Sequence, residues 1–168
     1  MTTYFINMII KLYHGTSEEN YSKIMASGFL DPIYLTSNDE QAQYYAEVCS
    51  DDDESSPVIL TVEVDTAFLM ADTSSFDEPL SYTLQFHGLS EKDWHEAITS
   101  GEIEYPDKDR WDISLETTQT VKTTQAIDIK NIQYDGSLND DDYKNINKAI
   151  QTFRMDSSLI KKKTVKPV

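Results

Sequence analysis

Two stretches constrain the fold of this chain more than any others. They are Leu12-Tyr13-His14-Gly15-Thr16-Ser17 and, about twenty residues later, Ile33-Tyr34-Leu35-Thr36-Ser37. In each, a short apolar run that suits a strand ends in small polar residues that suit a helix cap, so each reads as a strand running into a helix. A chain built this way brings strand ends and helix starts together, and such junctions are where sites form.

The rest of the chain is read outward from these junctions. The first strand is expected over Ile6 to Tyr13, rich in Ile and free of Gly and Pro. Ser17 is expected to cap a helix with Glu18 and Glu19 in its first turn, a buried stripe of Tyr21, Ile24 and Met25, and an end at Gly28. The second strand covers Ile33 to Thr36. Ser37 and Glu40 have the spacing of a capping box, and Ala42, Tyr45, Ala46 and Cys49 follow at the intervals of one helix face. Ser50 to Ser56, with four consecutive acids, is expected to be a loop.

Val58 to Asp65 alternates and is β-branched, as a central strand should be. Thr66 to His87 carries weak signals and is expected to be mostly irregular, facing a cleft. Ser90 caps a helix holding Trp94, Ala97 and Ile98, which Gly101 stops. The alternation of Ile113, Leu115 and Val121 with Ser114, Glu116, Thr118 and Thr120 predicts a strand over Trp111 to Val121 with one polar face. A further strand is expected at Gln125 to Ile129, and Gly136 closes that unit. A last helix begins at Asn139 or Asp140 with a stripe of Tyr143, Ile146, Ile150 and Phe153. The division expected is a single domain over residues 1–156 followed by a basic tail at 157–168.

Composition narrows the function classes. The chain has 168 residues, 39% hydrophobic, enough for one real core. Its longest apolar run, near Ile6 to Ile10, is far too short to cross a bilayer, and its start lacks the pattern of a signal peptide, so a cytoplasmic protein with no membrane partner is expected. Fourteen Lys and Arg stand against thirty Asp and Glu, a formal charge of −16, and Ile24 to Ser90 holds thirteen acids with no Lys or Arg. Such a surface repels a polyanion, which argues against direct nucleic-acid binding and favours a basic partner. Lys161, Lys162, Lys163 and Lys166 form the one basic cluster, read as a solvated tail. His87 and His95 lack companions at ligand spacing, and Asp51 to Glu54 lacks the alternation and Gly of a calcium loop, so no metal is expected. Cys49, the single cysteine, is expected to be a small apolar helix residue.

Tyr13-His14-Gly15-Thr16, a helix to Gly28, Tyr34-Leu35-Thr36-Ser37-Asn38, and a helix bearing Tyr44-Tyr45-Ala46 together resemble the catalytic domain of diphtheria-toxin-like ADP-ribosyltransferases. The poly(ADP-ribose) polymerases share the same His, Tyr and Glu plan. The likeness covers Ile9 to Val64 well and Trp111 to Ile132 in outline. It implies an α+β fold of the ADP-ribosyltransferase type, with two antiparallel sheets forming a split core and flanking helices. It also implies NAD as cofactor and transfer of ADP-ribose to a macromolecular acceptor, a basic protein by the charge argument. In keeping with this, no Gly-x-Gly-x-x-Gly of a dinucleotide fold occurs.

Carried over residue by residue, the resemblance implies that His14 hydrogen-bonds the ribose beside nicotinamide and that the backbone of Gly15 holds the carboxamide. Thr16 or Ser17 would help hold the cofactor. Tyr34 would stack on nicotinamide, with Tyr45 closing the other face. The family places a Glu on a later strand to engage the ribose as positive charge builds on it. Glu116, on the polar face expected for Trp111 to Val121, is the candidate, with Gln119 and Thr123 as alternatives. Either alternative implies NAD binding with poor transfer, or transfer of a single ADP-ribose. Two further readings stand beside this one. The first is a catalytically weak binding module or an acidic inhibitor that mimics nucleic acid. The second is an RNA 2′-phosphotransferase, which needs basic residues around its cleft.

Overall fold

In the computed structural model, which describes residues 8–29 and 32–164, the chain is an α+β fold with one sheet of six antiparallel strands in the order β4-β5-β2-β1-β3-β6. The strands are β1 (Ile9–Ser17), β2 (Tyr34–Thr36), β3 (Pro57–Asp65), β4 (Leu69–Ala71), β5 (Thr120–Thr123) and β6 (Ile132–Tyr134). Two separate sheets were expected, and the ladder is continuous instead. It is nevertheless thin at one place. β1 pairs with β3 over nine residues, whereas β1 meets β2 through the single pair Tyr13 and Thr36. β4-β5-β2 and β1-β3-β6 are thus two halves joined at a narrow seam.

Both junctions form. Ser17 ends β1 and caps α1 (Glu18–Ser27) by accepting from the Asn20 backbone N–H at 3.2 Å. Gly28 closes α1 with a φ of 73° and so uses the conformational freedom that only glycine offers cheaply. Tyr21 and Ile24 of the expected stripe pack on the core, while Met25 is exposed. The cap of α2 (Asp39–Asp53) is Asn38 rather than Ser37, its Oδ1 accepting from the N–H groups of Glu40 at 2.8 Å and Gln41 at 3.1 Å. α2 also runs through Asp51, Asp52 and Asp53, which were expected to lie in a loop, and ends at Glu54 with a φ of 57°. Asp53 is held in its last turn by hydrogen bonds from the hydroxyls of Ser17 and Ser55, which offset the unfavourable place of an acid at a helix carboxyl end.

Three other expectations are corrected. Thr66 to His87 is largely ordered as a 3-10 turn, β4, α3 (Ser74–Asp77) and α4 (Ser81–His87), elements too short to show a period. Trp111 to Val121 is not one strand but α6 (Trp111–Thr117) followed by β5. Its apparent polar face is misleading because Asp112 and Ser114 are as buried as Ile113 and Leu115. Ser114 donates to the Thr120 carbonyl at 2.6 Å and accepts from the Asp72 N–H at 2.9 Å. Gln125 to Ile129 makes only an isolated bridge, Ile127 with Phe29, and the strand lies at β6.

α5 (Glu91–Ser100) forms as expected between Ser90 and Gly101. α7 (Asp140–Thr164) passes through the expected domain boundary as one helix, burying Ile146 and Ile150 and packing Phe153 against Trp111. Ile6 and Lys166 lie outside the described residues. No helix among the described residues is long and apolar enough to cross a membrane.

Candidate functional site

The seam between β1 and β2 opens into a cavity of about 170 Å³. Four of the residues singled out in the sequence, His14, Gly15, Tyr34 and Tyr45, line it together. Register explains the convergence. Tyr34 and Thr36 on β2 stand opposite Lys122 and Thr120 on β5, so the four side chains share one face of the sheet, over which α2 carries Tyr45 and Cys49.

Beyond the Tyr13–Thr36 pair, the side chain of His14 continues the ladder. Its Nδ1 lies 2.8 Å from the Tyr34 carbonyl oxygen, which only accepts, so Nδ1 carries the proton. Burial lowers the pKa of His14, outweighing the opposite effect of this hydrogen bond. The ring is therefore neutral at pH 7, with Nε2 as an acceptor. Its edge packs on Phe29 at 4.9 Å between centroids, which fixes its plane.

Gly15 has a structural reason to be glycine apart from the carboxamide role expected of it. A Cβ there would stand 1.9 Å from the Ala42 carbonyl oxygen and 2.8 Å from the Ala46 nitrogen. Ala42 and Ala46 are themselves wholly buried, so three small residues let α2 lie directly on β1. That close approach brings Tyr45 over the seam.

The two tyrosines differ. Tyr34 is 49% exposed and lines the cavity. Tyr45 is half-buried with its hydroxyl pKa pushed up to about 12, by burial first and then by the charges of Asp72 and Tyr44, so it stays a neutral phenol. Cys49, one helical turn further along α2, also lines the cavity. Burial, followed by the charges of Asp52 and Asp53, raises its thiol pKa, which makes it a weak nucleophile at neutral pH. Its spacing of four from Tyr45 was the available signal. Tyr13, Leu35, Thr36 and Thr120 complete the lining; the first three fall within the two stretches singled out in the sequence, although no role in the site was expected of them.

Three expected residues are not brought to the cavity. Thr16 is buried beside Val58, and Ser17 is committed to the α1 cap and to Asp53. Glu116 lies on α6, where Arg154 of α7 donates to its two carboxylate oxygens at 3.0 and 3.2 Å. The same guanidinium donates to Asp112 at 2.9 Å, and Arg110 donates to both oxygens of Asp112, also at 2.9 Å. Asp112 is wholly buried. Burial alone would raise its pKa, but the two arginines hold it below the ordinary carboxylate range. This cluster fastens α6 to α7.

The alternatives to Glu116 are also occupied. Gln119, at a φ of 61°, accepts through Oε1 from Asn38 at 2.8 Å, and Thr123 Oγ1 accepts from the Ile33 N–H at 3.0 Å. No Asp or Glu lines the cavity. Among the described residues no group of three or more His, Cys, Asp or Glu is placed to hold a metal. A wider cleft of about 390 Å³ beside the far end of β1 holds Glu63, Asp65, Asp128 and Lys130; of the candidate site residues only Thr123, the alternative to Glu116, lines it. No family model matches the chain, and neither a curated protein nor a solved structure matches it.

Proposed function

We propose that the cavity at the β1–β2 seam takes the nicotinamide end of NAD and that the chain is an NAD-dependent mono-ADP-ribosyltransferase of ADP-ribosyltransferase-like fold. The reading rests on one observation: His14, Gly15, Tyr34 and Tyr45, from two separate strand-to-helix junctions, meet in one cavity. Its size agrees, since a cavity of roughly 150 Å³ holds a benzene ring and this one measures about 170 Å³. The narrow seam between the two halves of the sheet supports the split-core form of the fold.

The chemistry follows from the lining. Nicotinamide stacks on Tyr34, with Tyr45 beside it, because flat rings give contact area with little loss of freedom. Nε2 of neutral His14 accepts a ribose hydroxyl. The bond between nicotinamide nitrogen and ribose carbon breaks, and nicotinamide leaves with the electron pair. Cationic ribose is then attacked by an acceptor nucleophile, which loses its proton to solvent. With no carboxylate in the lining, the ribose cation meets only hydroxyls and aromatic faces, so slow turnover and transfer of one ADP-ribose are expected. The acidic stretch Ile24 to Ser90, which includes α2, favours a basic protein acceptor.

A second reading, an NAD-binding module with negligible transfer, is favoured by the same missing carboxylate. Calorimetry with NAD and chromatographic measurement of released nicotinamide separate the two. Saturable binding with release above the spontaneous rate supports the transferase. Binding without release, across a panel of basic proteins, supports the module. Absence of binding removes both.

A further inference from the structure

We propose that Lys122, beside the cavity next to Tyr34, forms a phosphate subsite, which makes the site selective for a pyrophosphate-bearing nicotinamide dinucleotide over nicotinamide or its riboside. The proposal rests on the nicotinamide reading of the cavity. Lys122 is the direct cross-strand partner of Tyr34, and its Nζ stands 5.6 Å from the centre of the Tyr34 ring. Its other strand neighbour, Met70 on β4, is uncharged. Among the described residues Lys122 belongs to none of the ion pairs, in a chain where thirty acids face fourteen bases. What sets Lys122 apart from the other lysines without an ion pair is its place in the strand register, beside the cavity.

The surrounding charge gives that placement a consequence. From Ile24 to Ser90, which includes β2 and α2, there is no Lys or Arg, so the α2 side of the cavity repels a pyrophosphate. Lys122 supplies the compensating charge from β5. In the free protein its ammonium rests over the Tyr34 ring, a modest cation–π contact at a half-exposed site. The nicotinamide of NAD is itself a cation and claims the same ring face. Its arrival drives the ammonium off the ring, and a phosphate one ribose away accepts a stronger charge-assisted hydrogen bond. The exchange involves no covalent step. Neutral free nicotinamide, lacking a phosphate, gains nothing from Lys122.

Calorimetric titration of the full chain and its Lys122→Met and Lys122→Arg variants with NAD, nicotinamide riboside and nicotinamide tests this. Lys122→Met is expected to weaken NAD about tenfold, to flatten the salt dependence of NAD binding, and to leave riboside and nicotinamide binding undiminished. Lys122→Arg is expected to retain NAD. Equal loss for NAD and riboside would overturn the proposal, since Lys122 would then act only by positioning Tyr34. Unchanged NAD binding with an unchanged salt dependence would overturn it too. If the wild-type chain binds NAD and Tyr34→Ala weakens that binding, the cavity reading stands whatever the Lys122 variants do. If it binds none of the three ligands, both fall.

Discussion

The β1–β2 seam and the α6–α7 cluster look alike in sequence, since both set polar or charged residues among apolar ones, yet they are opposites in structure. At the seam, groups are left with unused capacity. Nε2 of His14 is an acceptor, the face of Tyr34 is half exposed, and Lys122 has no carboxylate partner among the described residues. In the α6–α7 cluster every charge is matched, with Arg110 and Arg154 together satisfying Asp112 and Arg154 also holding Glu116. Matched charges fasten helices, whereas on the proposed reading the unmatched groups around the cavity are the ones open to a ligand. By this criterion Glu116 is a structural residue, although its type and position pointed to catalysis.

The comparison breaks most visibly at Gly15, which belongs to the seam but acts on stability. Gly15→Ala sets a Cβ against the backbone of α2, and a loss of about 3 kcal/mol is expected, read by urea unfolding. Full stability in this variant would mean that α2 does not lie as closely on β1 as described.

In the α6–α7 cluster, Asp112→Ala leaves Arg110 and Arg154 without their shared partner. Both arginines are partly exposed, so a cost of about 2 kcal/mol is expected, below the range for fully buried pairs. The pH dependence has a definite sign. The folded-state pKa of Asp112 is depressed, so its contribution is complete at neutral pH and is lost as pH falls through the acidic end of the carboxylate range. Urea unfolding of wild type and variant should converge there, while NAD binding at pH 7 is unaffected.

His14 sharpens the contrast through protonation. Its folded pKa is lowered, and Nε2 accepts only when the ring is neutral. NAD affinity should hold level across pH 7 to 8. Below the folded pKa, which lies under the ordinary histidine value, it should drop about tenfold per pH unit, as followed by equilibrium dialysis. Affinity that rises on acidification would contradict the acceptor role. The smallest effect is expected for Glu116→Ala. It removes a half-exposed ion pair worth at most about 1 kcal/mol and should leave nicotinamide release at the wild-type rate.

The strand-to-helix junctions were legible because each is local: Ser17, Gly28 and the small polar run after Tyr34 act within one turn of chain. The cavity was legible for the same reason, since its marked residues sit at those junctions and at helical spacing along α2. α6 was not. Its first five residues, Trp111 to Leu115, are all buried, so no apolar stripe distinguishes one face, and the distant partners of Asp112 and Ser114 are Arg154 on α7, Asp72 just after β4 and Thr120 on β5. The reason for Gly15 was hidden likewise, because Ala42 meets it only once α2 has folded back on β1. A residue type shows what chemistry is available, but only the fold shows whether that chemistry has already been matched.

The central claim is that the seam cavity, and not the α6–α7 cluster, is built for NAD. Calorimetric titration of NAD into wild-type protein, Tyr34→Ala and Glu116→Ala tests it most directly. The account predicts saturable binding by wild type, an affinity roughly thirtyfold weaker for Tyr34→Ala, equivalent to about 2 kcal/mol, and wild-type affinity for Glu116→Ala. Binding that survives Tyr34→Ala but is lost with Glu116→Ala, or no binding by the wild-type chain, would contradict it.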